Sequence, residues 1–238
     1  MENNEKWEAV KRRNKTSILQ SVNKFREEAN KMKRKMQRFV TVSTAAALSL
    51  AMAVPGSAAY QPEQKFQDVS RSASYYEDVM DANYYGLMAG VSGKTFDTES
   101  TITRAMWVTM LYKMAGQPAV QSKDTFTDVK TGDWFAQAAT WAVEQGITSG
   151  TSSTTFSPDA IITRGQTVMF LYRNAGSPAS GTGSAFDDVK IGDYYSPAVR
   201  WAVANGITSG TSATTFSPSA PCTRAQIVTF LYRTFAGW

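Results

Sequence analysis

The sequence contains no histidine and a single cysteine, Cys222. Without histidine, the chain cannot form a catalytic triad with an imidazole base, a cysteine–histidine pair or the usual imidazole metal site. A single cysteine also excludes an intrachain disulfide, so stability must come from a buried core. These absences exclude histidine-dependent catalysis, and we predict no catalytic residue, no cofactor and no metal site; the prediction that the protein is not an enzyme rests on the repeats described below.

The excess of positive charge is confined to the N-terminus. Residues 1–38 contain 12 Lys/Arg and 5 Asp/Glu, whereas residues 39–238 contain 13 and 15. The net charge of +5 therefore does not describe the body of the chain, and nucleic-acid binding is not expected.

An uncharged apolar run of 16 residues, 39–54, follows this basic stretch and leads to Ser57-Ala58-Ala59. A basic segment, a short apolar core and a small-residue site are typical of a secretory signal peptide. A membrane anchor is the alternative, but the run is shorter than the roughly 20 residues that span a bilayer. We predict a basic extension over 1–38, a signal core and cleavage site over 39–59, and no membrane attachment after cleavage.

The rest of the chain repeats with a period of 60 residues, which predicts three copies of one unit that pack on each other. We place copy one at 60–119, copy two at 120–179 and copy three at 180–238. The repeated positions are an F-x-D-V phenylalanine, a glycine 20 residues later and a Thr-Arg pair: Phe66, Phe126 and Phe186; Gly86, Gly146 and Gly206; Thr103-Arg104, Thr163-Arg164 and Thr223-Arg224.

Each copy is predicted to fold as helix, glycine loop, helix. In copy two, the F-x-D-V aspartate is expected to bind nearby backbone N–H groups. Asp133 is expected to cap a first helix that runs to about Gln145 and ends at Gly146. A loop or very small hairpin follows, and Thr163 starts the second helix.

The arginine at the start of the second helix needs its own explanation. Thr163 with Gln166, and Thr223 with Gln226, fit a capping box, but an arginine there faces the positive end of the helix dipole. One interpretation is a carboxylate-binding site made by the arginine and the free N–H groups. The other is an ion pair with the F-x-D-V aspartate, and the residues leave both open.

The tryptophans of the first helices, Trp141 and Trp201, also have two interpretations. An aromatic residue on a helix stripe usually belongs to the core, which we favour. A partly exposed one beside an arginine could instead be a platform for a sugar ring.

In copies two and three, the F-x-D-V opening, W-A, G-I-T-S-G, T-F-S-P and a T-R start to the last helix occur in that order. This pattern resembles the S-layer homology domain over about residues 66–236. The resemblance implies a mainly all-α fold, in which three repeats form a pseudo-threefold, three-pronged assembly around a central three-helix bundle.

The resemblance further implies non-covalent anchoring to the cell wall through a secondary cell-wall polysaccharide, anionic and pyruvylated, bound in grooves between the copies. Copy one departs from the pattern, since Asp81 replaces the tryptophan and Met106 the glutamine. We therefore expect the groove of copy one to be weak and Arg104 to matter less. The expected ligand-binding residues are Arg164, Arg224, Arg104, Trp141, Trp201, Gly150, Gly210, Asp128 and Asp188.

A structural role is the alternative function: a surface-layer subunit or a tether between envelope and peptidoglycan. The expected partners are a cell-wall polymer and other surface proteins, and the expected location is outside the cell, at the wall or surface layer. An anchored enzyme would need a catalytic domain, and the repeats leave no room for one in this chain.

Overall fold

A computed structural model describes residues 64–84, 86–121, 123, 125–184 and 186–236. These residues contain six α-helices and no named strand, and the all-α class with three repeats is confirmed. The signal segment and its cleavage site lie outside the described residues and remain predictions. The helices are α1 (Tyr76–Tyr84), α2 (Arg104–Met114), α3 (Ala136–Glu144), α4 (Arg164–Asn174), α5 (Ser196–Ala204) and α6 (Arg224–Ala236).

The second helix of each copy begins at its arginine, directly after the threonine. In α4 the Thr163 hydroxyl accepts from the Gln166 backbone N–H, and the Gln166 side chain accepts from the Thr163 N–H. This capping box is confirmed, and the same reciprocal pair starts α6. In copy one the threonine accepts from the Met106 N–H, but methionine has no group that could return the bond.

The first helices begin later than the sequence predicts, and Asp133 is not the N-cap. Helix α3 starts at Ala136 with Phe135 as its cap residue and without a side-chain capping bond. The Asp133 carboxylate accepts from the backbone N–H of Lys130 and so closes the turn that precedes the helix. The end of the helix is as predicted, because Gly146 has a φ of 70° and its N–H bonds to Val143, which is typical of a glycine C-cap.

The F-x-D-V aspartates bind backbone N–H groups, as expected, but those groups are not close in sequence. Asp128 accepts from Phe156 at 2.8 Å and from Ser157 at 2.7 Å, 28 and 29 residues further along. Phe126 packs on Phe156 with ring centroids 5.8 Å apart. The motif therefore closes each copy on itself by joining its start to the loop before its second helix. The equivalent aspartates are Asp68 and Asp188.

Contacts between copies follow a cyclic order. Helix α2 packs on α3, α4 packs on α5, and α6 packs back on α1. Isolated antiparallel bridges follow the same order, namely Thr103 to Ile161, Thr163 to Pro221 and Thr101 to Thr223. Such a ring is what a threefold arrangement of three copies requires, while the central bundle and the three-pronged shape remain predictions.

The core runs through all three copies and takes in the motif residues. Cys222 is fully buried at the position of Ile102 and Ile162, and burial raises the pKa of its thiol to about 11. Within the described part of the chain, no helix is long and apolar enough to cross a membrane.

Candidate functional site

A surface groove of about 410 Å³ lies where all three copies meet. One wall is the loop 208–211 with the first turns of α6, another is the start of α1, and Arg164 comes from copy two. Hydroxyl groups line much of this groove. The polar lining comprises Ser74, Tyr75, Glu99, Arg164, Thr208, Ser209, Thr211, Thr223, Gln226, Thr229 and Arg233.

The contacts between copies recur with the 60-residue period, so we define three equivalent positions by their loops; loop 208–211 borders the groove just described. We call them groove A (loop 88–91), groove B (loop 148–151) and groove C (loop 208–211). In each one the arginine comes from the preceding copy around the ring. In each case the arginine Nε donates to the backbone carbonyl oxygen of a phenylalanine beside the groove. The pairs are Arg224 with Phe96 at groove A, Arg104 with Phe156 at groove B, and Arg164 with Phe216 at groove C.

The three arginines are buried, with exposed fractions of 3%, 3% and 5% for Arg104, Arg164 and Arg224. Each guanidinium lies over a phenylalanine ring; for Arg164 the distance from Cζ to the Phe216 centroid is 4.9 Å. Burial lowers the pKa of each guanidinium, and nearby carboxylates such as Asp188 oppose this effect. All three remain charged, because arginine does not lose its proton in proteins.

Neither simple interpretation of these arginines describes the geometry. Among the described residues no ion pair joins them to the F-x-D-V aspartates. Arg164 and Asp188 instead hold the same loop from two sides, since the arginine donates to the Phe216 carbonyl and the aspartate accepts from the Phe216 N–H. This arrangement uses only some of the five N–H donors that a guanidinium carries.

Two of the arginines have a buried donor without an acceptor. The Nη2 atoms of Arg104 and Arg164 have no hydrogen-bond partner in the structure. A buried donor that stays unpaired costs about 1–3 kcal/mol, and more when it is charged. An oxygen acceptor within reach of this nitrogen would remove that cost.

The predicted tryptophans belong to the core. Trp141 has no exposed surface and its ring centroid lies 5.7 Å from that of Tyr112. Trp201 is 8% exposed and packs in the same way on Tyr172. Because a buried ring offers no face to a sugar, we do not retain these two residues as ligand-binding candidates.

The remaining predicted residues shape the loops that line the grooves. A Cβ on Gly150 would lie 2.5 Å from the Thr155 carbonyl oxygen and 2.6 Å from the Phe126 ring, and Gly210 is placed alike. Asp128 and Asp188 have both carboxylate oxygens engaged by backbone N–H groups. We assign these four residues to the support of the site.

A family model for the S-layer homology domain matches residues 65–105, 125–168 and 185–228, which is more than half of the chain. The chain belongs to the S-layer homology domain family. The three matched segments coincide with the three copies and end within the first half of each second helix.

Proteins of the cell surface are among the relatives of this S-layer homology chain. It is 28% identical over 205 residues to the surface-layer 125 kDa protein of Lysinibacillus sphaericus, covering 84% of this chain and 17% of that protein. It is 28% identical to the cellulosome-anchoring protein of Acetivibrio thermocellus (72% and 39%) and to the middle cell wall protein of Brevibacillus brevis (76% and 17%).

The chain therefore spans less than half the length of each of these relatives. The family and the relatives support a location at the cell surface in association with the wall. They also support cell-wall anchoring as the class of function.

Sequence reasoning missed the exposed aromatic residues of this S-layer homology chain. Trp134 is 66% exposed and Tyr194 is 59% exposed, just before α3 and α5, where copy one has Ser74. The pKa of Tyr194 is raised by desolvation of its hydroxyl, and this is opposed by Arg104, Arg173 and a hydrogen bond with Gln166. Those neighbours place Tyr194 in groove B. Two adjacent aromatics at a helix start were the available signal, because both cannot face the core.

Proposed function

We propose that this chain is a non-covalent anchor that binds an anionic secondary cell-wall polysaccharide in the grooves between its copies. The observation that carries the proposal is the unpaired, buried Nη2 of Arg164, which lines a groove rich in hydroxyl groups, together with the equivalent unpaired nitrogen of Arg104. A carboxylate is the group that best matches a guanidinium and the N–H groups of a helix start. A pyruvate ketal on a sugar would supply that carboxylate.

The rest of groove B and groove C suits a sugar. Threonine and serine hydroxyls around the loops can both donate to and accept from sugar hydroxyls. Tyr194 adds an exposed ring in groove B, and ring stacking on a sugar face needs such a surface. The cation at the far end, Arg173 or Arg233, is held by the carbonyl of Ile147 or Ile207.

The names of the relatives agree with an anchoring role. One of them is a cellulosome-anchoring protein and another is a cell wall protein. A surface-layer subunit is the second candidate, favoured by the surface-layer relative. Such a subunit would use the same grooves for attachment, and it would also assemble into a lattice with copies of itself.

The decisive experiment is co-sedimentation of the chain from residue 60 with purified cell-wall sacculi, before and after the polysaccharide is stripped. We expect binding to intact sacculi and its loss after stripping. Arg104→Ala and Arg164→Ala should each weaken binding about 10- to 150-fold, the equivalent of a charged hydrogen bond of 1.5–3 kcal/mol. Lysine at either position should restore little, because it lacks the planar fork.

Lys123→Ala is the matched control. It removes one positive charge from a side chain that pairs with Glu144 and takes no part in the grooves. Each variant is compared at a temperature where its melting curve shows it to be folded. Arginine variants that stay folded and bind like the parent would refute the carboxylate site. Equal binding to intact and stripped sacculi would refute the polysaccharide as the ligand.

A further inference from the structure

The three grooves differ in one hydrogen bond next to the arginine. In groove A the Nη2 of Arg224 donates to the carbonyl oxygen of Ala89 at 2.5 Å. The corresponding nitrogens of Arg104 and Arg164 have no partner. The donor that we assign to the ligand in grooves B and C is therefore already used by the protein in groove A.

The loop sequence explains why only this carbonyl reaches its arginine. In groove B the hydroxyl of Thr148 accepts from the Gly150 N–H at 3.2 Å, and in groove C Thr208 does the same for Gly210. This bond fixes the orientation of the peptide between residues 149 and 150, or 209 and 210. The carbonyl of the same peptide group points opposite to its N–H.

Copy one has Met88 at the threonine position, and methionine has no hydroxyl to accept that bond. The backbone of its loop differs accordingly. Gly150 and Gly210 have φ values of 91° and 89°, whereas Gly90 lies outside the positive range. The peptide between Ala89 and Gly90 is thus turned relative to its counterparts, and its carbonyl meets Arg224.

The loop of groove A and the start of α2 change in the same direction. Ala89 and Val91 replace the Ser and Thr of the other loops, Met106 replaces glutamine, and Val91 is 57% exposed. Apolar groups have taken the places of the hydroxyls that a sugar would need. The loss of the free guanidinium donor and the loss of sugar-binding hydroxyls therefore coincide in one groove.

We propose that Met88 closes groove A to acidic saccharides by turning the Ala89 carbonyl onto Arg224, so that each chain binds two such ligands, in grooves B and C. This proposal rests on the proposed function, which it makes specific. It keeps the expected weak groove of copy one but changes which arginine belongs to that groove. The arginine of the worn copy, Arg104, serves an intact groove, and the arginine disabled by copy one is Arg224 of copy three.

The test is a count of binding sites by calorimetry on the chain from residue 60. The probe is a methyl glycoside of a pyruvylated N-acetylhexosamine. We expect two sites for the parent, three for Met88→Thr, and one each for Thr148→Met and Thr208→Met. Ala89→Ser is the matched control, since it restores a hydroxyl to the same loop at the wrong position and should leave two sites.

A count that stays at two in Met88→Thr, or a loss of a site in Arg224→Lys equal to that in Arg104→Lys, would overturn the proposal. A parent that binds no probe would overturn the saccharide assignment and the count with it. A measurement without ligand tests separately whether the Nη2 donor of Arg224 is occupied. In NMR spectra of arginine-labelled protein, hindered rotation of the Nη groups is expected at Arg224 and not at Arg104 or Arg164. It should disappear in Met88→Thr, and its persistence there would refute the role of Met88.

Discussion

Replacement of Gly150 by alanine tests whether this residue serves the ligand or the loop. Its φ of 91° lies in a region that residues with a Cβ avoid, and the new methyl group would meet a backbone oxygen at 2.5 Å and an aromatic ring at 2.6 Å. Backbone strain of this kind costs about 1–3 kcal/mol, and forcing a methyl group into a packed site costs about 1–3 kcal/mol more. We therefore expect a loss of about 2–6 kcal/mol in the free energy of unfolding.

Two other glycines of copy two separate the contributions. Gly146→Ala has the cost of backbone strain without a steric clash, because the φ of Gly146 is 70° and nothing lies within 4 Å of the added Cβ. Gly132→Ala carries neither, since the space around it is open and its φ is ordinary, so it should be neutral or slightly stabilising. The expected order of stability is Gly132→Ala, then Gly146→Ala, then Gly150→Ala.

Urea unfolding of the three variants, followed by tryptophan fluorescence, would measure this order. A domain of this size shifts its melting temperature by about 2–4 °C per kcal/mol, so Gly150→Ala should melt several degrees below Gly146→Ala. If Gly150→Ala were as stable as Gly132→Ala, the packing argument would be wrong. If such a stable variant also lost wall binding, Gly150 would belong to the ligand site.

Three further predictions concern the acidic first helix, the repeats and export. Burial, and then Glu77 and Asp78, raise the pKa of Asp81 from 3.8 to about 6. A raised carboxyl pKa means that the folded state binds the proton more tightly than the unfolded state does. The ionised Asp81 therefore destabilises the fold fully above pH 6, and this effect disappears towards pH 4. Asp81→Asn should therefore raise the melting temperature at pH 7 more than at pH 4, by the equivalent of about 1–3 kcal/mol, and an equal gain at both values would contradict the shift. An isolated copy spanning residues 120–180 should show little helix by circular dichroism, whereas residues 60–238 should unfold cooperatively, and a stable monomeric copy would refute the interlocked ring. N-terminal sequencing of protein from the envelope fraction should begin near Tyr60, and retention of residues 39–54 would favour a membrane anchor instead.

The periodic features of the fold could be predicted from sequence because they depend on local chemistry. The capping boxes, the glycine ends of the helices and the placement of Trp141 in the core follow from side-chain type and spacing. Asp133 was misassigned because a carboxylate between a turn and a helix can in principle accept from either one, and here it accepts from the Lys130 N–H of the earlier turn. A local pattern does not say which of these bonds is made.

The site was harder to predict because its parts come from different copies. Nothing in the order of residues says that Arg104 faces the loop of copy two and Arg224 that of copy one. The long separation also hid the partners of Asp128, which lie 28 and 29 residues away. The role of Met88 is further out of reach, since it depends on the orientation of one peptide group.

The return of α6 onto α1 has a consequence for how the chain folds. Arg224 and Phe96, which bond across this junction, are 128 residues apart, so closure waits until nearly the whole chain is available and should be slow for an all-helical protein. Until then, the faces by which α1 and α6 pack on each other have no partner. A second chain carries the same two faces, so crowded, incompletely folded molecules can exchange a copy and close as a swapped dimer.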